Sequence, residues 1–549
     1  MKKIIILCFL GGLCPFGSEG QSKVAFPAST PVPALDTVGQ GSGALIYGEL
    51  INPDSLHPVE LVFSPLQLKP DLQWEQQTFP AEIRHGEFFD GILDPRVKKF
   101  SVRLPQVSDA AYMSLKVGGH TILENFLVFP SDSVMVGMDL SKLHLVFGGP
   151  QAAWFEAQYQ LQLSMEKHRF VNPRILFEFD REKMLATGDN RKNWEKGSNG
   201  FGSRLMILEQ GKDGLDWEIA SVLTPEFEVP ARKELEEWKG NIPSDRFELL
   251  RTELVSGYLA QKLSSLRRYG VSMSRSLKDS AALAKIGEVY PEIQDHYSSR
   301  LKELKDLNSA GYLNLVHEWV LFQASIEQKP AMDLIIAGYE GEERERLLFT
   351  TLYYTINRSE DPQGELTRFG EFFTLPQWRS KWENLCNRYA LNRPLIPAQF
   401  RTIAGDPIQL NSFSGKPVLL YFYFSTCTHS ANFFKNYLWP LYEETSKSAG
   451  YKLIAVSIDN DPELWKNSIP DYSHPELTNL NLPSKEWRAW LDYYLFTGYP
   501  RTILLDTKGN LLSLRLKGEN YEDFKARFLK LLENSGQPAT ASYKSPINP

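Results

Sequence analysis

Cysteine is scarce in this sequence. The 549-residue chain has four, Cys8, Cys14, Cys386 and Cys427. So few cysteines exclude a fold held together by a framework of disulfides. The nine histidines are scattered and do not form a motif with metal-ligand spacing. We therefore expect neither a metal site nor a cofactor.

Clustered positive charge and long apolar runs are also lacking. The formal net charge is −7, and no basic block is present, which argues against a nucleic-acid partner. After the N-terminus, no stretch approaches the ~18 uninterrupted apolar residues of a membrane-spanning helix. The overall composition, 42% hydrophobic and 23% charged, is typical of globular domains.

The first 20 residues predict a secretory signal peptide. Lys2 and Lys3 precede an apolar run over 4–13, and small residues follow up to Gly20, where we expect cleavage. Removal of this peptide would also remove two of the four cysteines. The mature protein is therefore expected to be exported, to the periplasm or cell envelope, with no transmembrane segment left.

The pattern of apolar and turn-forming residues changes twice along the rest of the chain. Short β-like runs punctuated by Gly, Pro and Asp favour an antiparallel sandwich, and apolar residues near a 3.6-residue period then favour helices, with a polar excursion over 180–215. The expected fold class is multidomain α+β, with a signal peptide at 1–20, a linker at 21–41, a β-sandwich-like domain at 42–150, an α-helical domain at 151–390, an α/β domain at 391–534 and a flexible tail at 535–549.

A strand, a turn and a cysteine stand in succession near the start of the α/β domain. The apolar run over 418–424 predicts a strand buried on both faces. The chain then turns at Ser425 and Thr426, and a helix is predicted to begin with Cys427 in its first turn. A helix N-terminus favours an anion, so this thiol is placed to ionise. His429 adds a second source of positive charge.

Three segments around this cysteine carry a resemblance to a known family. They form a lead-in hairpin, a Gly-Lys turn into a strand, and a proline loop followed by another strand. With them, residues 391–534 resemble the thioredoxin fold, in particular the TlpA-like and AhpC/TSA-type proteins of Bacteroidota-type bacteria. The three segments are 396–400 with 405–410, 413–422, and 498–506.

The chain departs from this family at its redox motif. The family has Cys-x-x-Cys, whereas this sequence has Cys427-Thr428-His429-Ser430. The second thiol of a dithiol site attacks the mixed disulfide and releases the partner. A serine hydroxyl cannot form that sulfur–sulfur bond, although it could hydrogen-bond a thiolate. The usual two-cysteine cycle is therefore not expected.

The resemblance also implies roles for particular residues. It implies a catalytic site made of Cys427, His429 and Ser430. It further implies that the peptide bond before Pro500 is cis and that the proline loop lies beside the cysteine. Thr426, Tyr499 and Pro500 are then expected to contact the substrate, with the Tyr499 backbone pairing with an extended segment.

Two functions remain open. Cys427 could exchange thiols and disulfides with protein or small-molecule partners, with an external thiol completing the cycle. Alternatively, the chain could be a non-catalytic binding or assembly protein that keeps the fold as a scaffold. A peroxidase is disfavoured, because Leu420 and Phe424 stand at the Pro and Thr places of Pro-x-x-x-Thr-x-x-Cys.

The remaining chemistry-bearing residues have structural explanations. Cys386 lies in a helical apolar stripe and is expected to pack in a core, although sequence alone leaves a Cys386–Cys427 bridge open. Asp459 and Asp461 stand between a predicted strand and a helix that begins at Pro462. We expect both aspartates to serve as cap or turn residues.

Overall fold

The computed structural model describes eleven stretches of the chain. The predicted signal peptide, linker and C-terminal tail lie outside them. No helix in these stretches has the length and apolar character that crossing a membrane requires. The described residues are 43–51, 58–85, 97–107, 109–139, 144–172, 174–200, 205–223, 229–359, 361–494, 496 and 498–534.

The N-terminal region contains a five-stranded, a four-stranded and a two-stranded sheet. Their orders are β11-β10-β1-β7-β6, β5-β2-β8-β9 and β3-β4. The strands are β1 Ala44–Ile51, β2 Val59–Ser64, β3 Leu66–Lys69, β4 Leu72–Trp74, β5 Gln77–Pro80, β6 Glu82–His85, β7 Val97–Leu104, β8 Ala111–Val117, β9 His120–Val128, β10 Ser133–Asp139 and β11 His144–Gly148.

The strands of the two larger sheets are half-buried. In β1 and β10, buried and partly exposed residues alternate, as expected for strands with one face against a core. Ile46, Leu61, Leu115 and Val136 contribute to a single core. The prediction of antiparallel pairing is wrong for β1 and β10, which pair in parallel. These strands lie far apart in the sequence, so no hairpin imposes their direction.

Helices dominate the middle of the chain, with one exception. The segment predicted as a polar excursion, 180–215, contains helices and the strand β13 Leu205–Glu209. This strand pairs in parallel with β12 Arg174–Glu178, which lies just before the segment. The helices are α1 Ala152–Val171, α2 Arg181–Ala186, α3 Asn190–Gly200, α4 Asp213–Leu223, α5 Arg232–Glu237, α6 Ser244–Ser265, α7 Met273–Leu277, α8 Ser280–Glu303, α9 Ala310–Glu327, α10 Ala331–Gly338, α11 Gly341–Thr355, α12 Pro362–Phe369 and α13 Pro376–Arg388.

The C-terminal region forms a seven-stranded mixed sheet with helices. The strand order is β15-β14-β18-β17-β16-β19-β20; β16 pairs in parallel with β17 and antiparallel with β19. The strands are β14 Gln399–Arg401, β15 Pro407–Gln409, β16 Val418–Tyr423, β17 Lys452–Ser457, β18 Thr478–Asn481, β19 Arg501–Leu505 and β20 Leu511–Ser513, and the helices are α14 Thr428–Phe433, α15 Trp439–Ala449, α16 Pro462–Tyr472, α17 Arg488–Tyr493 and α18 Tyr521–Asn534.

The central strand β16 is buried on both faces, which confirms the strand predicted from the apolar run. Its alternate side chains enter two different cores, because successive residues of a strand point to opposite faces. Leu420 and Phe422 join a core that also contains Phe349 and Trp382 of the helical region. Tyr421 and Tyr423 face a second core. The helical region and the C-terminal sheet are therefore packed together.

Candidate functional site

Cys427 lies at the junction between β16 and α14. The chain turns at Ser425 and Thr426, as predicted, and α14 begins at Thr428. Cys427 is thus the N-cap residue, one position ahead of the predicted place in the first turn. Its N–H donates to the Phe424 carbonyl at 3.1 Å, and its carbonyl accepts from the helix. The sulfur forms no capping hydrogen bond with the first-turn N–H groups.

The Cys427 sulfur faces the proline loop instead. The Sγ–H group donates to the Tyr499 carbonyl, at 3.8 Å from sulfur to oxygen. The Tyr499–Pro500 peptide bond is cis, as the resemblance implies. Only 9% of the Cys427 surface is exposed, whereas Thr426 and His429 are both exposed. The exposed surface next to the sulfur is thus formed by residues on either side of it in the chain.

Ser430 is separated from this surface. It is fully buried, and its Oγ has no hydrogen-bond partner, so it does not bond to the Cys427 sulfur. Its carbonyl accepts a hydrogen bond from the Tyr421 hydroxyl at 2.9 Å. The possible hydrogen bond between this serine and the cysteine sulfur is thus absent. Ser430 is therefore part of the buried interior.

Asp459 holds the turn that precedes Cys427. The Ser425 N–H and hydroxyl both donate to its carboxylate, and the Ser457 hydroxyl donates to the same group at 2.6 Å. Asp459 therefore ties the end of β17 to the end of β16. Asp461 caps α16 through the Glu463 N–H at 2.9 Å, which confirms its predicted cap role.

We expect Asp459→Asn to destabilise the protein. An amide offers one acceptor oxygen in place of two, and it loses charge-assisted bonds, so the free energy of unfolding should fall by about 1–3 kcal/mol. Asp461→Asn is the matched control, because Asn caps helices as well as Asp does. Urea unfolding followed by tryptophan fluorescence measures both. Equal losses in the two variants would contradict the role of Asp459.

Cys386 lies in α13, more than 100 residues before the proline loop in the sequence, and it packs against the core of the helical region. Burial raises the pKa of its thiol to about 12. Both cysteines in the described residues are free, so the bridge that the sequence left open is not formed. The side chain is partly exposed, but at neutral pH its thiol is protonated, so Cys386 is not a candidate nucleophile.

A cavity of about 580 Å³ adjoins the proline loop. Tyr499, Pro500 and His429 line one part of it. Arg358, from the turn that follows α11, and Arg515, after β20, line another part. Sequence analysis did not identify either arginine, since no local pattern connects the end of a helix in the middle of the chain to this loop.

The described residues offer no metal site. Among them, no group of three or more His, Cys, Asp or Glu side chains is arranged to hold a metal ion. At the cysteine turn, the groups present are the Cys427 thiol, the exposed His429 and the Tyr499 carbonyl.

Residues 415–511 match a family model described as thioredoxin-like. The match contains β16, Cys427 and the cis proline. The C-terminal domain is thioredoxin-like. It occupies a small part of the chain, and no curated protein matches the chain.

Solved bacterial structures are similar to the thioredoxin-like domain. A thiol:disulfide interchange protein from Bacteroides sp. is 25% identical, covers 29% of this chain and 97% of its own, and gives a TM-score of 0.24. The thioredoxin domain of a thiol-disulfide oxidoreductase from Bacteroides vulgatus is 26% identical, covers 26% and 98%, and gives 0.22. An uncharacterized thioredoxin-like protein from the same species is 26% identical, covers 26% and 87%, and gives 0.21.

Proposed function

We propose that the thioredoxin-like domain exchanges thiols and disulfides through Cys427 alone. The observation that carries this proposal is the position of the Cys427 sulfur, 3.8 Å from the carbonyl of Tyr499, a residue of the proline loop that lines a cavity. Cys386, by contrast, lies on α13 of the helical region, and burial raises the pKa of its thiol to about 12. The partners would be protein or small-molecule thiols and disulfides.

The proposed reaction is a disulfide interchange in two steps. The Cys427 thiol loses its proton to water, and the thiolate attacks one sulfur of a partner disulfide R–S–S–R′. That bond breaks, a Cys427–S–S–R bond forms, and R′–S⁻ leaves with the electron pair. An external thiol R″–SH then attacks the mixed disulfide, forms R–S–S–R″ and restores the Cys427 thiol. The protein itself undergoes no net oxidation or reduction.

The identity of residue 430 makes the external thiol necessary. Ser430 is buried and has no sulfur, so it cannot attack the Cys427–S–S–R bond. The atypical Cys-x-x-Ser site thus supports a monothiol mechanism within a TlpA-like protein. His429, exposed at the edge of the cavity, and Thr426 would contact the incoming partner.

A non-catalytic scaffold is the second candidate. The shared core of the helical region and the C-terminal sheet favours it, because the domain is built into a larger body. In this alternative the whole chain binds or assembles an envelope partner, and Cys427 is vestigial.

We also propose an exported location in the periplasm or cell envelope, based on the N-terminal signal pattern over 1–20. The proposed organisation places a β-sandwich-like domain at 42–150 and an α-helical domain at 151–390 ahead of the thioredoxin-like domain. Nucleic acid is not among the proposed partners.

A count of reactive thiols tests the exchange. The mature chain should release one equivalent of chromophore from the uncharged reporter 4,4′-dithiodipyridine when native, and two when unfolded, because the native Cys386 thiol has a pKa of about 12 and stays protonated. Mass spectrometry should place the native adduct on Cys427. The absence of any native adduct would reject the exchange, and modification of Cys386 would contradict the unreactive state assigned to its thiol.

A further inference from the structure

The cavity beside the proline loop is lined by cations from separate parts of the chain. Arg358 ends the turn that follows α11, Arg501 begins β19, and Arg515 follows β20. The Tyr499 carbonyl, 3.8 Å from the Cys427 sulfur, belongs to the same wall. A molecule joined to this sulfur would therefore lie beside Tyr499, which also lines the cavity.

The guanidinium groups of these three arginines contact a backbone carbonyl and aromatic rings. In the part of the chain that the structure describes, none of them forms an ion pair with an aspartate or glutamate. Arg501 and Arg515 both donate from Nη1 to the Asn357 carbonyl at 2.8 Å, and Arg358 lies 5.3 Å from the ring of Tyr354. One carbonyl oxygen cannot balance two full positive charges.

Arg501 is the most constrained of the three. It is only 5% exposed, and its Nε atom is buried without a hydrogen-bond partner. A guanidinium has five N–H donors, and fully buried arginines are normally paired with an acid. Burial lowers the pKa of Arg501 to about 10, with a further lowering by neighbouring Arg515. A buried cation in this state has unused capacity for an anion.

Repulsion between the arginines adds to the free-energy cost of burying their charges. Burial lowers the pKa of Arg515, and the charge of Arg358 lowers it further. An anion between them would offset both effects, because an opposite charge favours the charged form of each guanidinium. Their hydrogen bonds to the Asn357 carbonyl give Arg501 and Arg515 a structural role. Arg358 has no such bond to this carbonyl among the described contacts, and its side chain is exposed at the cavity.

We infer that this cavity binds a carboxylate of the thiol or disulfide partner of Cys427, an inference that rests on the proposed exchange. The planar fork of a guanidinium matches the two oxygens of a carboxylate, and the pair is strengthened where water is excluded. The carboxylate could belong to an acidic polypeptide segment or to a free small disulfide. In either source it lies close to the reacting sulfur.

Matched disulfides test this inference on the full mature chain. One pair is oxidised glutathione and its tetraethyl ester, which has the same skeleton with all four carboxyl groups esterified. The other is a disulfide-linked cysteine peptide with flanking glutamates and the same peptide with glutamines. The rate of mixed-disulfide formation at Cys427 is measured for each at low and high salt, with 4,4′-dithiodipyridine as an uncharged reference.

In the wild type, the acid of a pair should react faster than its neutral counterpart at low salt, and the preference should shrink at high salt because ions screen the charges. Arg358→Gln should lower the acid-to-neutral rate ratio by about threefold, as expected for one exposed charge. Lys508→Gln is the matched control. It removes one exposed positive charge from the same domain outside the cavity, and it should retain the wild-type ratio.

The two possible sources of the carboxylate give different patterns of reaction rates. A preference confined to the peptides identifies a polypeptide partner, and a preference also seen with glutathione identifies a small disulfide as a substrate; both support the inference. Equal rates for acid and neutral forms, or an unchanged ratio in Arg358→Gln, would overturn it while leaving the exchange intact. A failure of 4,4′-dithiodipyridine and every other disulfide to react would overturn the proposed function and this inference together.

Discussion

Ser430→Cys is expected to turn a monothiol site into a dithiol site. The new thiol would stand three residues after Cys427, the spacing at which Cys-x-x-Cys pairs form disulfides. Attack within one site has a far higher effective concentration than attack by a free thiol, so turnover with a protein disulfide should rise by at least about 100-fold. Reduction of insulin with a coupled reductant measures this turnover.

The buried position of Ser430 favours this substitution. Its hydroxyl has no hydrogen-bond partner, and a buried cysteine behaves as a small apolar side chain, so the exchange of oxygen for sulfur removes an unsatisfied polar group. Ser430→Ala is the control, because it removes the hydroxyl without adding a thiol. Its turnover should remain that of the wild type. Equal turnover in the cysteine and alanine variants, without an internal disulfide after oxidation, would contradict the proposed site geometry.

Cys427→Ser is expected to abolish mixed-disulfide capture. The sulfur that reacts is removed, and a serine hydroxyl is not ionised at neutral pH, so no covalent partner adduct should form. Non-reducing electrophoresis of the mature protein after incubation with a disulfide reports the adduct directly. Cys386→Ser is the matched control and should retain full capture, because burial keeps that thiol protonated.

The same variant separates exchange from scaffolding. A cell that carries only the Cys427→Ser protein should show the phenotype of a complete deletion if exchange is the function. It should behave as wild type if the chain serves as a scaffold, since the serine fits the space of the cysteine. The second result, together with unchanged partner binding, would replace the proposed exchange with the assembly role.

Sequence patterns predicted correctly those features whose structural cause is local. The six consecutive apolar side chains of β16 can all be hidden in a strand only if both faces of that strand are buried. The turn at Ser425 and Thr426 and the helix after it follow directly. The position of Cys427 was displaced by one residue, because the end of a helix is set by cap geometry that residue type alone does not fix.

Other features depend on contacts between distant residues. The bonds from Ser425 to Asp459 span 34 positions, and the bond from Arg501 to Asn357 spans 144. No periodicity connects such pairs, so the sequence suggested a cap or turn for Asp459 and gave no role to Arg358. The parallel pairing of β1 with β10 was missed for the same reason.

The sequence by itself determined the central buried strand, the lone cysteine after it and the serine in place of a second thiol, because these follow from residue type and local spacing. Tertiary structure alone decided that the sulfur meets the Tyr499 carbonyl, that Asp459 holds its turn and that three arginines line the neighbouring cavity. Those contacts form only when the sheet brings β16, β17 and β19 together and the helical region packs against it.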